Sequence, residues 1–262
     1  MTHPSLSSCT PVWRTALVVG AVALAGCSSK PPTPEWQMNA YGAAQKAVAA
    51  TLSGDTRVER LEWDRARSEV AQTGRPDVLA RLELMRCAAL TASLDLAPCS
   101  AFDTLRADAQ PEEVAYADYL AGRVQPTQIP LLPTAQRAVA AAVVTARGAV
   151  PLVSTGALSR TSSAPANPAP MHAAGSEVQA VTGVEDPLSR LVGAGVLLRA
   201  GRAGPEVVSL AVDAASAQGW RRPLLAWLLV QLQRAELSKD WQEAATVRRR
   251  IAIVEQAGKL DK

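Results

Sequence analysis

The sequence predicts an all-α protein built of stacked antiparallel helix hairpins, arranged as an α-solenoid or an irregular helical bundle. Three observations lead there. Alanine dominates the chain while aromatic residues make up only 4% of it, and Ala, Leu, Arg, Gln and Glu are the residues least costly to hold in a helix. Apolar residues recur at three- and four-residue spacing, between stops marked by glycine and starts marked by proline or aspartate. No stretch alternates apolar and polar residues for long enough to make a strand.

Residues 1–26 stand apart from this pattern. A leader containing Arg14 and no acidic residue precedes an apolar run, Ala16 to Ala25. A charged start, a short apolar stretch and small residues before a cut make a secretory signal peptide. The run is about ten residues long, whereas a membrane-spanning helix needs roughly 20. It closes on Leu24-Ala25-Gly26-Cys27, which resembles the lipobox of bacterial lipoproteins. The resemblance implies cleavage between Gly26 and Cys27, diacylglycerol on the Cys27 thiol and acylation of the new amino terminus. Each buried methylene contributes about 0.8 kcal/mol, so several acyl chains hold a protein on a bilayer without a spanning helix. Ser28 follows the cysteine; in Gram-negative lipoproteins an Asp there usually signals inner-membrane retention. The resemblance therefore implies an outer-membrane anchor facing the periplasm. Residues 27–33, polar and proline-rich, read as a lipid-anchored tether.

An N-terminal helical region is expected over 34–148. Thr33 caps its first helix, Pro34 suits the first turn and Glu35 complements the helix dipole. Trp36, Ala40, Ala44, Val48 and Leu52 form the inward stripe, and Gly54 stops the helix. A second helix, from Asp55 or Thr56, should bury Val58, Leu61, Ala66 and Val70 and end at Gly74. A third, from Pro76 to about Ala92, turns Leu79, Leu82, Met85 and Ala89 inward; a short one follows Cys99 around Phe102 and Leu105. Pro111-Glu112-Glu113 opens a helix that ends at Gly122. The stretch 125–133, with its three prolines, reads as an extended connector. Thr134 to Arg147 is an alanine-rich helix closed by Gly148. Glu35, Glu112 and Glu113 sit at helix starts, where the dipole stabilises a carboxylate, so they read as capping charges rather than an acid/base pair.

Over 149–184 the period is lost. Text such as Ser162-Ser163-Ala164-Pro165-Ala166-Asn167-Pro168 cannot offset the entropy of ordering it, and the segment is expected to be a disordered, low-complexity linker. A C-terminal helical region, 185–262, restarts at Asp186-Pro187. Its first helix carries Leu188, Leu191, Val192, Val196 and Leu198; its second opens at Pro205-Glu206 and buries Val207, Leu210, Ala211 and Ala214. The third, from Pro223, is the most apolar and should be buried on most sides. Asp240 caps the fourth, which turns Trp241, Ala244, Val247, Ile251 and Val254 inward and leaves Arg248-Arg249-Arg250 on a solvated face.

Internal echoes link these parts. Arg75-Pro76-Asp77-Val78-Leu79-Ala80-Arg81-Leu82 is echoed by Arg222-Pro223-Leu224-Leu225-Ala226-Trp227-Leu228. Arg199-Ala200 and Arg234-Ala235 stand 35 residues apart, each ending the first helix of a pair. Lys239-Asp240-Trp241-Gln242-Glu243-Ala244-Ala245 resembles the turn and second helix of a tetratricopeptide repeat, and the resemblance extends over about residues 188–257. That family's usual Trp-Leu-Gly-Tyr is absent. The resemblance implies stacked helix pairs that form a protein-binding scaffold.

Of the four cysteines, Cys9 lies in the leader and Cys27 at the lipobox, leaving Cys87 and Cys99. An even pair in an oxidising compartment favours a structural disulfide over two buried thiols, worth roughly 3 kcal/mol for a loop of this length. The Cys-x-x-Cys of a redox site is absent. Beyond the leader the single histidine is His172, inside the expected linker, so neither a catalytic triad nor a zinc site is expected. Gly193-Ala194-Gly195 lacks the preceding strand of a phosphate loop. No catalytic residue, cofactor or metal ligand is therefore expected. A net charge of +3 is too near neutral for a nucleic-acid surface, and nothing marks a small-molecule substrate. The expected partners are the membrane, through acyl chains on Cys27, and another envelope protein. The alternative is a cell-wall accessory, either a peptidoglycan binder or a carboxylate-dependent hydrolase.

Overall fold

The computed structural model describes residues 33–148 and 173–260, and every regular element among them is helical. The leader with Gly26 and Cys27, the tether up to residue 32, and the linker up to His172 lie outside the described residues. In chain order the helices are α1 (Glu35–Ser53), α2 (Thr56–Ala71), α3 (Pro76–Ala92), α4 (Ser100–Asp103) and α5 (Pro111–Leu120). A 3-10 helix (Pro126–Leu131) leads into α6 (Thr134–Gly148). The rest are α7 (Ala173–Thr182), α8 (Pro187–Arg199), α9 (Pro205–Ala217), α10 (Arg221–Leu237) and α11 (Trp241–Leu260).

Several helices begin where the chain supplies an acceptor for their first free N–H groups. The Asp55 carboxylate accepts from the N–H of Arg57 and Val58 at 3.2 and 3.0 Å, Asp186 accepts from Ser189 at 2.7 Å, and Asp240 from Glu243 at 3.0 Å. Neighbouring helices then pair: α1 with α2, α6 with α7, α8 with α9, and α10 with α11. The inner side of α1 is alanine (Ala40, Ala43, Ala44 and Ala47), and the buried Trp63 of α2 packs in the same cluster.

Helix α3 lies at the centre, against α1, α2, α4, α5 and α8. It is buried on several sides at once, at Ala80, Leu82, Leu84, Cys87, Ala88 and Ala92. Its last turn receives two further helices. Helix α8 comes so near that a Cβ on Gly195 would sit 2.6 Å from the Thr91 carbonyl oxygen, and one on Gly193 would sit 3.1 Å from a Val139 methyl of α6. From α10, the buried Trp227 donates its indole N–H to the Ala92 carbonyl at 3.1 Å. Gly193-Ala194-Gly195 is thus a close-packing stripe. Gly195→Ala is expected to cost about 1–3 kcal/mol, because the atom it meets is backbone and cannot rotate away. Gly42→Ala, with nothing within 4 Å of the added carbon, should instead stabilise α1 by roughly 0.5–1 kcal/mol. Denaturant midpoints of the two variants check the contrast.

Buried glutamates join helices that are distant in sequence. Glu83 of α3 pairs with Arg67 of α2 at 2.5 Å, Glu113 of α5 with Arg81 of α3 at 2.6 Å, and Glu59 of α2 with Arg222 of α10 at 3.0 Å. Glu177 of α7 pairs with Arg202 in the α8–α9 connection. A carboxylate out of water is tolerated only when paired, so these contacts fix which helices meet more than they add stability. The arginines of the 35-residue echo play matching parts. Arg199 closes α8 and donates to the Leu96 carbonyl at 2.7 Å; Arg234, near the end of α10, donates to the Ala203 carbonyl.

The N- and C-terminal helical regions share one core. A single cluster of buried side chains runs from Ala80 through Tyr119, Leu191 and Val208 to Trp227 and Val247.

Four sequence expectations are corrected. The inward stripe of α2 is Glu59, Trp63, Ala66 and Val70, while Val58 and Leu61 are exposed; the arginine-paired Glu59 takes an inner position that an apolar count assigns to its neighbour. The stretch 125–133 holds a 3-10 helix, started by Gln128, whose side chain accepts from the Gln125 N–H at 2.8 Å. The linker expected to reach 184 gives way at Ala173 to α7, whose Val181 is buried and whose Glu177 is neutralised by Arg202. Helix α10 is covered on most sides, as expected, by α1, α9 and α11; Leu229, 55% exposed, lies on its open stripe. Trp241 is 63% exposed; it opens α11 beside the turn, ahead of the first residue that faces α10.

Candidate functional site

Helices α3, α5 and α8, the 3-10 helix and the start of α6 surround an open recess. Between them lies a groove of about 560 Å³. Leu84, Met85 and Ala88 of α3, Tyr116 of α5, Leu131 and Leu132, and Leu188 and Val192 of α8 make it apolar. Arg81, Glu112 and Arg137 stand among the polar residues that line it. Pro133 breaks the chain between the 3-10 helix and α6, and the Arg137 Nε–H donates to the Leu132 carbonyl at 2.9 Å, which pins that break.

Two tyrosines of α5 are stacked with ring centroids 5.9 Å apart and have different tasks. Tyr119 donates to the Gln136 side-chain oxygen at 2.5 Å, and Gln136 donates on to the Ser189 carbonyl at 3.0 Å, a buried chain that ties α5, α6 and α8 together. Tyr116 lines the groove, and its hydroxyl makes no hydrogen bond among the described residues. Burial first, and then the Asp186 carboxylate, push its ionisation well above that of an ordinary phenol. It is a neutral donor at physiological pH, available to an acceptor in the groove.

The buried carboxylate nearest the groove is Glu113. It accepts from both Nε and Nη2 of Arg81, at 2.9 and 2.6 Å, and from the Gln110 N–H at 2.9 Å. Glu113 is thus an interhelix tie as well as the cap expected of it; Glu35 and Glu112 sit in the first turns of α1 and α5. Arg248 pairs with Glu236 and Arg249 donates to the Thr246 hydroxyl, both at the surface. Among the described residues no group of three or more His, Cys, Asp or Glu can hold a metal ion. No described helix is long and apolar enough to cross a membrane.

The structure brings Cys87 and Cys99 together. Their Cα atoms are 6.0 Å apart and the sulfurs are at bonding distance, so the pair ties α3 to the start of α4. Sequence reasoning did not single out the groove. Its one local signal is Leu131-Leu132-Pro133, two large apolar residues in a proline-rich connection.

The fold and the groove define an all-α array of helix pairs with an open apolar recess bordered by charge. No family model matches the chain, and no curated protein or solved structure matches it.

Proposed function

We propose that the chain is an outer-membrane lipoprotein facing the periplasm, held by acyl chains on Cys27, and that its helices act as a non-catalytic scaffold. Another envelope protein would place apolar side chains in the groove between α3, α5 and α8. The observation that carries this reading is the groove's composition: an apolar lining, one unpaired phenol donor at Tyr116, and a carboxylate already neutralised by arginine. Such a recess suits side-chain insertion, with the donor fixing orientation. Leu24-Ala25-Gly26-Cys27 supports the location.

The test is capture from detergent-solubilised envelope alongside binding to purified sacculi. Leu131 is 37% exposed at the groove, so Leu131→Asp should leave the fold within about 0.5 kcal/mol of the parent while abolishing capture of the partner. Leu237→Asp, at a site 77% exposed and away from the groove, should leave capture intact. Binding to sacculi with no protein partner would replace this reading by the cell-wall one.

A further inference from the structure

The solvent side of α1 differs from that of its partner. On α2 the exposed residues include the charged Arg57, Arg60, Asp64 and Arg65 as well as Val58 and Leu61. On α1, past Glu35 in the first turn, they are Gln37, Met38, Tyr41, Gln45, Lys46, Ala49 and Ser53, with one charge among them. Met38 is 56% and Tyr41 64% exposed. Helical spacing puts Met38, Tyr41, Gln45 and Ala49 on one face, opposite the buried Ala40, Ala43, Ala44 and Ala47. A helix face left to water usually carries more charge than this.

We infer that the outer face of α1 rests on the phospholipid surface beside the anchor, with Met38 and Tyr41 set into the headgroup layer. This rests on the lipidation proposed above. Seven residues, hence eight Cα steps, lie between Cys27 and Glu35, and at about 3.5 Å per extended step the start of α1 cannot lie more than roughly 28 Å from Cys27. Met38 and Tyr41 fall in the first two turns, the part of the helix nearest the anchor. A tyrosine suits the boundary because its ring is apolar and its hydroxyl stays hydrated. A second copy of the chain is a poorer occupant: two large side chains fall far short of the roughly 800 Å² per partner that a stable protein interface buries.

The experiment uses the full chain, acylated in cells and reconstituted into phosphatidylethanolamine and phosphatidylglycerol vesicles. With Cys27 acylated and Cys87 bonded to Cys99, a thiol introduced by Tyr41→Cys takes a fluorescent label selectively; Ser68→Cys, at an exposed site on α2, is the control. Brominated lipids should remove most of the emission at position 41 and leave position 68 unchanged. Acylated protein with equal, slight quenching at both sites overturns the contact and leaves the anchor standing. Protein that incorporates no palmitate at residue 27 overturns both. Emission at 41 that follows protein concentration and ignores bromination assigns the face to a second copy and overturns the inference.

Discussion

Cys27→Ala is expected to abolish palmitate incorporation, leave the precursor uncut and release the chain from carbonate-washed membranes. On the proposed reading, one side chain is both the lipid acceptor and the residue at which cleavage is recognised, so both are lost together. The effect should be close to complete. Acyl chains contribute about 0.8 kcal/mol per buried methylene, and a protein that loses all of them keeps only weak interfacial attraction. The folded unit should be unaffected, because it begins at Glu35; the thermal midpoint of the variant should equal that of the parent. Palmitate labelling and fractionation read the first result, and calorimetry the second. Continued palmitate incorporation into the variant would remove the basis for an anchor at this cysteine.

The helix boundaries were legible in the sequence because their signals are local. Gly54, Gly74, Gly122, Gly201 and Gly219 all take positive φ at helix ends, the geometry that glycine adopts without strain. Pro76, Pro111, Pro187 and Pro205 open helices as written. What local pattern could not supply was the partner of each face. Glu59 and Glu83 are buried because arginines from other helices meet them, and no spacing rule foresees a buried glutamate. The pattern of α7 is faint because its apolar residues are small, alanines and two valines; its place depends on Arg202, 25 residues on from Glu177. The groove was hidden for the same reason. Leu84, Tyr116 and Val192 each look like ordinary core residues until α3, α5 and α8 bring them to one groove.

Trp227→Ala is expected to cost about 3–5 kcal/mol, the range for truncating a large buried aromatic side chain. Trp227 is 0% exposed, and its N–H reaches into the N-terminal half, at Ala92. Its removal leaves a void between α10 and the end of α3, and an Ala92 carbonyl without that donor. Trp227→Phe separates the two contributions. It keeps most of the ring and loses only the hydrogen bond, so it should cost about 1–2 kcal/mol. Trp241→Ala, at a 63% exposed site, should change stability by no more than about 0.5 kcal/mol. The shape of the transition carries further information. If α3 and α10 belong to one core, as the cluster from Ala80 to Val247 requires, Trp227→Ala moves the unfolding of both halves together. Fluorescence should then move in step with circular dichroism, which reports helices on both sides of residues 149–172. Two separated transitions, with the N-terminal helices unfolding at the parental midpoint, would show instead that the halves fold independently and that the Trp227–Ala92 contact is incidental to their union.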